Sequence, residues 1–448
     1  MKHNYLLISV FLISLISCNN DPDQVIDKEA EVDQELEQTL KLVAENGEVS
    51  YFKLPTSTDL DNIPQDPKNP LTEEKVALGK LLYHETGLAL NAITDGGKRT
   101  YSCASCHHAQ AGFQAGIRQG IGDGGIGFGI AGEGRSQNNN VNAEQIDVQP
   151  VRSPSTLNSA YQVAQLWNGQ FGAVGPNEDT EAQWTEGTPK FANHLGFEGV
   201  ETQAIAGFDV HRLGVDTSLI MDTDYKAMFD EAFPEVDKNK RYGKEQIGLA
   251  MAAYERTLLA NEAPWQRYLN GEQSALTQEQ KLGAILFFGK ANCVSCHNGP
   301  ALNSMEFYAL GMGDLTGDNV FRFTVDDPAH KGRASFTGNS EDDYKFKVPQ
   351  LYNLKDSPFY GHGGTFNTVK EVVTYKNEAV IENTNVPNTQ LALEFVPLEL
   401  NEEEIDQLTD FIENGLYDPS LLRYLPDHLP SNLNFPNNDS QSQVDLSF

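Results

Sequence analysis

Two short cysteine–histidine motifs carry the clearest chemistry in this 448-residue chain. Both read C-x-x-C-H, a spacing in which two thiols add to the vinyl groups of one porphyrin and the histidine binds its iron. A redox dithiol or a zinc site made of the four thiolates is the alternative, but such a zinc site leaves both histidines without a role. The motifs therefore predict two covalently bound haem c groups. The attachment residues are Cys103, Cys106, His107, Cys293, Cys296 and His297.

A repeated helix is expected to position each motif. Leu71–Tyr83 precedes the first motif and a near-copy, Leu276–Phe287, precedes the second. Thr72 is a good N-cap, and Thr277 with Gln280 forms a capping box. This duplication predicts a mainly α protein with two cytochrome c-like haem domains in tandem, joined by long glycine-rich and irregular loops. Their boundaries are 70–269 and 270–425.

Further helices are expected at 156–166, 223–233 and 244–259, and a last one is capped by Asn401 with Glu404. Residues 120–134 are very rich in glycine and contain a formal G-x-G-x-x-G. No strand precedes it, which argues against dinucleotide binding and favours a loop close to a porphyrin.

The flanking segments indicate export. Residues 1–18 have a basic start and a short apolar run ending at Cys18, which predicts a lipoprotein signal peptide and a periplasm-facing, membrane-anchored lipoprotein. An ordinary signal peptide with a chance cysteine is the alternative. Residues 19–69 are predicted to be an acidic linker containing a weak helix, and residues 426–448 a disordered tail.

The net charge of −32 argues against nucleic acid as a partner. It favours electrostatic steering of a cationic protein, although solubility explains the same charge.

Further stretches match a known family: from about residue 70 to 422, the chain resembles the bacterial di-haem cytochrome c peroxidases and their MauG-type relatives. The stretches that carry the resemblance, besides the two motifs, are Leu78–Tyr83, Arg152–Asn158, Ala164–Gly169, Glu201–Ala204, Asn298–Pro300, Lys347–Leu354 and Ser357–Gly364. The resemblance implies reduction of hydrogen peroxide with electrons from a small cytochrome c or cupredoxin. It also implies a peroxidatic haem bound by His107, an electron-transfer haem bound by His297, and often a homodimer.

The resemblance also implies catalytic roles. Trp167 matches a tryptophan between the haems, although a core aromatic is the alternative, and Gln203 matches a catalytic glutamine. The family's catalytic glutamate falls near His211, which is a candidate proton shuttle, an iron ligand or a plain core or surface histidine.

Several positions depart from the family. Asp123 stands where many members place a histidine on the peroxidatic iron, so no reductive activation is expected. The distal ligand of the second haem, Met or Tyr in the family, falls at Lys376; its neighbour Tyr375 is the weak candidate and Met312 a remoter one. Asp356 and Pro358 match a calcium site, although Ser153 replaces the usual asparagine.

Two other functions remain open. One is a MauG-like enzyme that oxidises a side chain of a partner protein through high-valent iron, which the missing methionine and histidine favour. The other is a non-catalytic electron-transfer cytochrome, against which Trp167, Gln203 and the glycine-rich loop argue.

Overall fold

A computed structural model describes residues 22–447, with side chains described from residue 29 onward. The predicted signal peptide and Cys18 lie outside the described residues. The fold is rich in helices, with two small two-stranded sheets. The helices are α1 (Pro22–Val43), α2 (Glu73–His84), α3 (Gly199–Val210), α4 (Thr217–Met221), α5 (Tyr225–Ala232), α6 (Lys244–Arg256), α7 (Pro264–Leu269), α8 (Gln278–Phe288), α9 (Ala334–Thr337), α10 (Val369–Glu378), α11 (Glu402–Asp410) and α12 (Ser440–Asp445).

The strands are antiparallel pairs and very short. They are β1 (Gly125–Ile126) with β2 (Ser136–Gln137), and β3 (Phe307–Tyr308) with β4 (Phe346–Lys347). Much of the remaining chain is irregular or forms short 3-10 turns, and a π-turn at Phe411–Gly415 continues α11. Among the described residues, no helix is both long and apolar enough to cross a bilayer.

Two helix pairs cross at glycine in the same way. Helix α2 packs against α6, where a Cβ at Gly79 would overlap the carbonyl oxygen of Ala250. Helix α8 packs against α11, where a Cβ at Gly283 would overlap that of Gln407. Only glycine permits such a close approach of two backbones. The two similar segments in the sequence, Leu71–Tyr83 and Leu276–Phe287, therefore pack against their partner helices in the same way.

The expected capping boxes at the starts of α8 and α11 are present. The expected helices at 223–233 and 244–259 correspond to α5 and α6. The helix expected at 156–166 is wrong: a single 3-10 turn occurs there. Asn158 and Leu166 both have positive φ, 57° and 72°, which a right-handed helix does not allow.

The expected acidic linker contains a well-packed helix. On α1, Leu36 and Leu40 are fully buried, and Asp33 forms a 2.7 Å ion pair with Lys281 of α8. This face of α1 therefore packs against α8, in the second half of the chain.

The tail expected to be disordered is also folded, at the other end of the protein. Asp439 pairs with the buried Arg135 at 3.1 Å. The Asp445 carboxylate accepts hydrogen bonds from the backbone N–H of Phe128 at 2.8 Å and of Gly129 at 3.0 Å. The polar side chains that suggested disorder instead accept hydrogen bonds from the backbone N–H groups of the glycine-rich loop.

Candidate haem-binding sites

The second C-x-x-C-H motif lies on the wall of a large cavity. This cavity has a volume of about 660 Å³, and Cys293, Cys296 and His297 line it. Nδ1 of His297 lies 3.1 Å from the carbonyl oxygens of both Leu302 and Pro349. A proton held on Nδ1 by these carbonyls leaves Nε2 free to bind a metal, as in other histidine-ligated centres.

The first motif is held from both sides. Tyr83 of α2 donates a hydrogen bond to the carbonyl of His107 at 2.8 Å. On the other side, Ser102 donates to the carbonyl of Pro436 in the C-terminal segment at 3.0 Å. Burial lowers the pKa of His107 to about 4, so the imidazole is neutral and able to act as a ligand at pH 7.

All four motif thiols are free of disulfides. Burial raises the pKa of Cys103, Cys106 and Cys293 to about 12. Within the described part of the chain, no three His, Cys, Asp or Glu side chains converge as a metal cluster. The four-thiolate zinc site is therefore excluded, whereas unpaired thiols followed by a neutral imidazole fit two haem groups.

One face of α3 is open beside the first motif. Gln203 and His211 are half-buried there, and a Cβ at Gly207 would meet only Cδ2 of His211, at 3.9 Å. The end of the helix is fixed to the segment before the motif, because the Tyr101 hydroxyl donates to the carbonyl of His211 at 3.0 Å. The structure thus places Gln203 and His211 on one face of α3, with His211 close enough to His107 for its charge to lower the pKa of that imidazole.

A buried ion pair sets the rotation of α3. Both carboxylate oxygens of Glu201 accept from the guanidinium of Arg256, at 2.9 and 2.7 Å, and both side chains are fully buried. Such a two-point contact fixes orientation as well as distance. It holds the Glu201 side of α3 against α6 and turns Gln203 away from it.

The glycine-rich loop surrounds the first motif with charged pairs. A Cβ at Gly120 would lie 3.2 Å from Sγ of Cys106, so the glycine-rich loop packs against the first motif. Asp123 is fully buried and pairs with Arg212 at 2.5 Å. The carboxylate expected at the position of a blocking histidine is therefore engaged in an ion pair.

Asp147 is a site residue that the sequence did not reveal. Its carboxylate lies 2.9 Å from Nδ1 of His211. Burial alone lowers the pKa of His211, but the charge and hydrogen bond of Asp147 outweigh it, and the net pKa is raised. The pair resembles the carboxylate–imidazole arrangement that orients a catalytic histidine, but 64 residues separate its members, so no local signal marks it.

Trp167 lines the cavity of the second motif and is hydrogen-bonded to Arg152. Its Nε1 donates to the carbonyl of Arg152 at 2.8 Å, and its indole lines the large cavity with His362. The Arg152 guanidinium in turn donates to the carbonyls of Ala115 and Ile117, which follow the first motif. The tryptophan is thus connected to both haem-binding regions.

The candidate ligand Tyr375 is not among the residues that line the large cavity. Its hydroxyl donates to the carbonyl of Leu310 at 2.6 Å. The ring of Tyr375 packs between Phe366 and Phe395. Lys376, one residue further along α10, and Met312 do line the cavity.

Lys347 is a second missed residue. Its amine donates to Oε1 of Gln162 at the cavity wall, and burial lowers its pKa to about 7. The sequence carried a signal for it, because Lys347-Val-Pro repeats the arrangement of Arg152-Ser-Pro.

Calcium binding at Asp356 and Pro358 stays a prediction. Asp356 is half-buried and accepts a 3.0 Å hydrogen bond from Nδ2 of Asn353, and Pro358 is exposed. Burial raises the pKa of the Asp356 carboxyl.

Comparison with known proteins supports the haem assignment. The family model described as di-haem cytochrome c peroxidase matches residues 73–274. The chain is 30% identical over 386 residues to cytochrome-c peroxidase IdrP1 of Denitromonas iodatirespirans, covering 81% of this chain and 86% of the relative. It is 27% identical over 403 residues to cytochrome c peroxidase Ccp of Escherichia coli, covering 86% and 69% of the two chains.

MauG-type proteins are also similar. Methylamine utilization protein MauG of Methylorubrum extorquens is 26% identical over 363 residues, covering 81% of this chain and 84% of the relative. The crystal structure of a MauG-like protein associated with microbial copper homeostasis has a TM-score of 0.55 at 23% identity, covering 82% and 96% of the two chains. With two haem-binding motifs in place and these relatives along most of its length, the chain belongs to the di-haem cytochrome c peroxidase family.

Proposed function

We propose that this protein reduces hydrogen peroxide to water with electrons delivered one at a time by a small cytochrome c or cupredoxin. The observation that carries the proposal is the difference between the two motifs: an open helix face with polar groups lies beside the first, and a mostly apolar cavity beside the second. Two bound haems supply the two reducing equivalents that peroxide requires. The chain itself must position peroxide, move a proton and connect the two centres.

Proton transfer is assigned to the open face of α3. Cleavage of the O–O bond requires a proton to move from the inner to the outer oxygen of peroxide. Nε2 of His211 is suited to take and return this proton, because Asp147 holds its Nδ1. The Gln203 amide, two turns earlier on the same face, is placed to hydrogen-bond peroxide.

Electron transfer between the centres is assigned to Trp167. Its indole lines the cavity beside the second motif, and its Nε1 donates to the carbonyl of Arg152, whose guanidinium reaches the segment that follows the first motif. Trp167→Phe keeps an aromatic ring but removes this hydrogen bond. We expect slower electron transfer between the haems with unchanged haem content, measured by stopped-flow reduction; an unchanged rate would leave Trp167 as a core aromatic.

The organisation follows from the same proposal. Residues 70–269 and 270–425 are proposed as tandem cytochrome c-like domains, the haems as thioether-linked, and the protein as a periplasmic lipoprotein anchored through Cys18. Calcium at Asp356 and Pro358, and pairing of two copies, stay predictions from the resemblance.

A second candidate is oxidation of a side chain on a partner protein, as a MauG-type enzyme would perform. The observation that favours it is the ion-paired carboxylate of Asp123 where many members place a blocking histidine. A long-lived two-electron-oxidised state formed by peroxide without donor would favour this candidate.

Steady-state kinetics test the main proposal. Purified holoprotein carrying two haems should oxidise reduced cytochrome c or a reduced cupredoxin when hydrogen peroxide is added, and a His211→Gln variant should be slower. A holoprotein with both haems that oxidises no such donor would contradict peroxidase function.

A further inference from the structure

Lys376 places a primary amine in the cavity of the second motif. Four residues of α10 line this cavity, and three are valines: Val369, Val372 and Val373. Lys376 is therefore the single polar side chain that α10 contributes there. Tyr375, its neighbour, points to another side of the helix and is hydrogen-bonded to Leu310.

The amine has no polar partner among the described residues. No carboxylate lies within ion-pair distance, and Nζ lies 5.1 Å from the ring centroid of Phe395. Lys370, one face away on the same helix, is by contrast exposed and pairs with Asp406 at 2.6 Å. The half-buried Lys376 amine therefore lines this cavity without a protein partner and is available to bind a ligand there.

The position of α10 corresponds to that of α3 in the first half. Each helix follows an asparagine at positive φ, Asn158 or Asn353. Each also follows an isolated antiparallel bridge, between residues 165 and 171 in the first half and residues 360 and 366 in the second. Helix α3 carries the groups assigned to the open side of the first haem, so α10 is expected to face the corresponding side of the second.

The surroundings of Lys376 agree with this position. Its side chain lines the same cavity as Cys293, Cys296 and His297, so the amine shares the cavity with the whole attachment motif. Met312 also lines the cavity. Its Sδ, however, packs against Gly361, next to His362: a Cβ added at Gly361 would lie 3.2 Å from this sulfur.

We propose that the amine of Lys376 is the axial ligand opposite His297 on the haem attached to Cys293 and Cys296. Coordination joins the nitrogen lone pair to iron, and the proton of the ammonium passes to solvent. This inference rests on the proposed function and specifies its second site. Two nitrogen ligands keep that iron closed to peroxide, and the absence of a thioether lowers its potential.

Spectroscopy of the full-length holoprotein tests the assignment. The variants are Lys376→Met and Lys376→Ala, with Lys370→Met as a matched control on the outer face of α10 and Met312→Leu for the competing ligand. Haem content is measured first. Ferric electron paramagnetic resonance, near-infrared charge-transfer bands and the midpoint potential of the second haem then report its ligand.

We expect the wild type to have a low-spin second haem without a sulfur-to-iron charge-transfer band. Lys376→Met should gain that band and a higher potential, and Lys376→Ala should convert the haem to high spin. Lys370→Met and Met312→Leu should match the wild type. Unchanged low-spin signals in both Lys376 variants, as expected if the amine pairs with a propionate, would overturn the assignment of Lys376 as the ligand. Loss of the low-spin signal in Met312→Leu would overturn it as well. Fewer than two haems in the wild type would instead defeat the proposed function.

Discussion

Replacing Asp147 by asparagine should move the pH dependence of the peroxide reaction. The carboxylate raises the pKa of His211 through its charge and a 2.9 Å hydrogen bond. A hydrogen bond to a charged group contributes roughly 1.5–3 kcal/mol, and one pKa unit corresponds to about 1.4 kcal/mol. The His211 side chain is 37% exposed, so solvent screening reduces this contribution to its pKa.

The direction of the shift follows from the role of His211 as a base. A base must be neutral to accept the peroxide proton, so the rate falls as the pH drops below the pKa of His211. In Asp147→Asn this pKa is lower, and the acidic limb of the profile should move to lower pH. The plateau should also fall, because the ring loses its orientation.

Stopped-flow mixing of the holoprotein with peroxide across pH measures this limb directly. His211→Gln should remove it and slow the reaction by roughly 10²–10⁴-fold, the range of general acid–base catalysis. Asp209→Asn is the matched control: this exposed carboxylate lies on α3 and pairs with Lys244 instead. An acidic limb that stays in place in Asp147→Asn, with full haem content, would refute the assignment of the pair.

Three further predictions concern packing and stability. Gly283→Ala should destabilise the protein by about 1–3 kcal/mol in denaturant unfolding, because its Cβ would overlap the Gln407 carbonyl and lie 2.8 Å from Cβ of Phe411. Burial raises the pKa of Glu255 to about 8, so this carboxyl holds an extra proton in the folded state between its unfolded pKa and pH 8. Its own contribution to the free energy of unfolding should therefore fall with rising pH in that window, and the stability of the wild type relative to Glu255→Gln should fall with it. Deleting residues 431–448 should expose the glycine-rich loop to limited proteolysis near Arg135, whereas protection equal to that of the full chain would contradict the packing described above.

The sequence predicted those features whose signal is local. The capping boxes at Thr277 and Asn401 depend on residues a few positions apart, and they are present in the structure as expected. The two C-x-x-C-H motifs are equally local, and haem attachment at them stays a prediction. The helix expected at 156–166 failed because a backbone turn at Asn158 overrides its apolar spacing.

Features that depend on distant contacts were not accessible. The partnership of Asp147 with His211 needs the fold to bring two loops together. The choice between Tyr375 and Lys376 depends on the rotation of α10 by one residue, about 100° on a helix, which is decided by packing against Phe366 and Phe395. The count along the chain reached Lys376, but the ligand types of the family favoured Tyr375, and only the packing of α10 shows which of the two lines the cavity.

Each end of the chain packs against the opposite half of the protein, which affects how the protein can be divided into fragments. Helix α1, which precedes the first motif, packs on α8 of the second half, and the segment after the second motif packs on the loop around the first. A cut between residues 269 and 270 therefore yields two fragments that each lack a covering supplied by the other. Co-expressed fragments should complement one another, whereas each alone should expose apolar surface and aggregate.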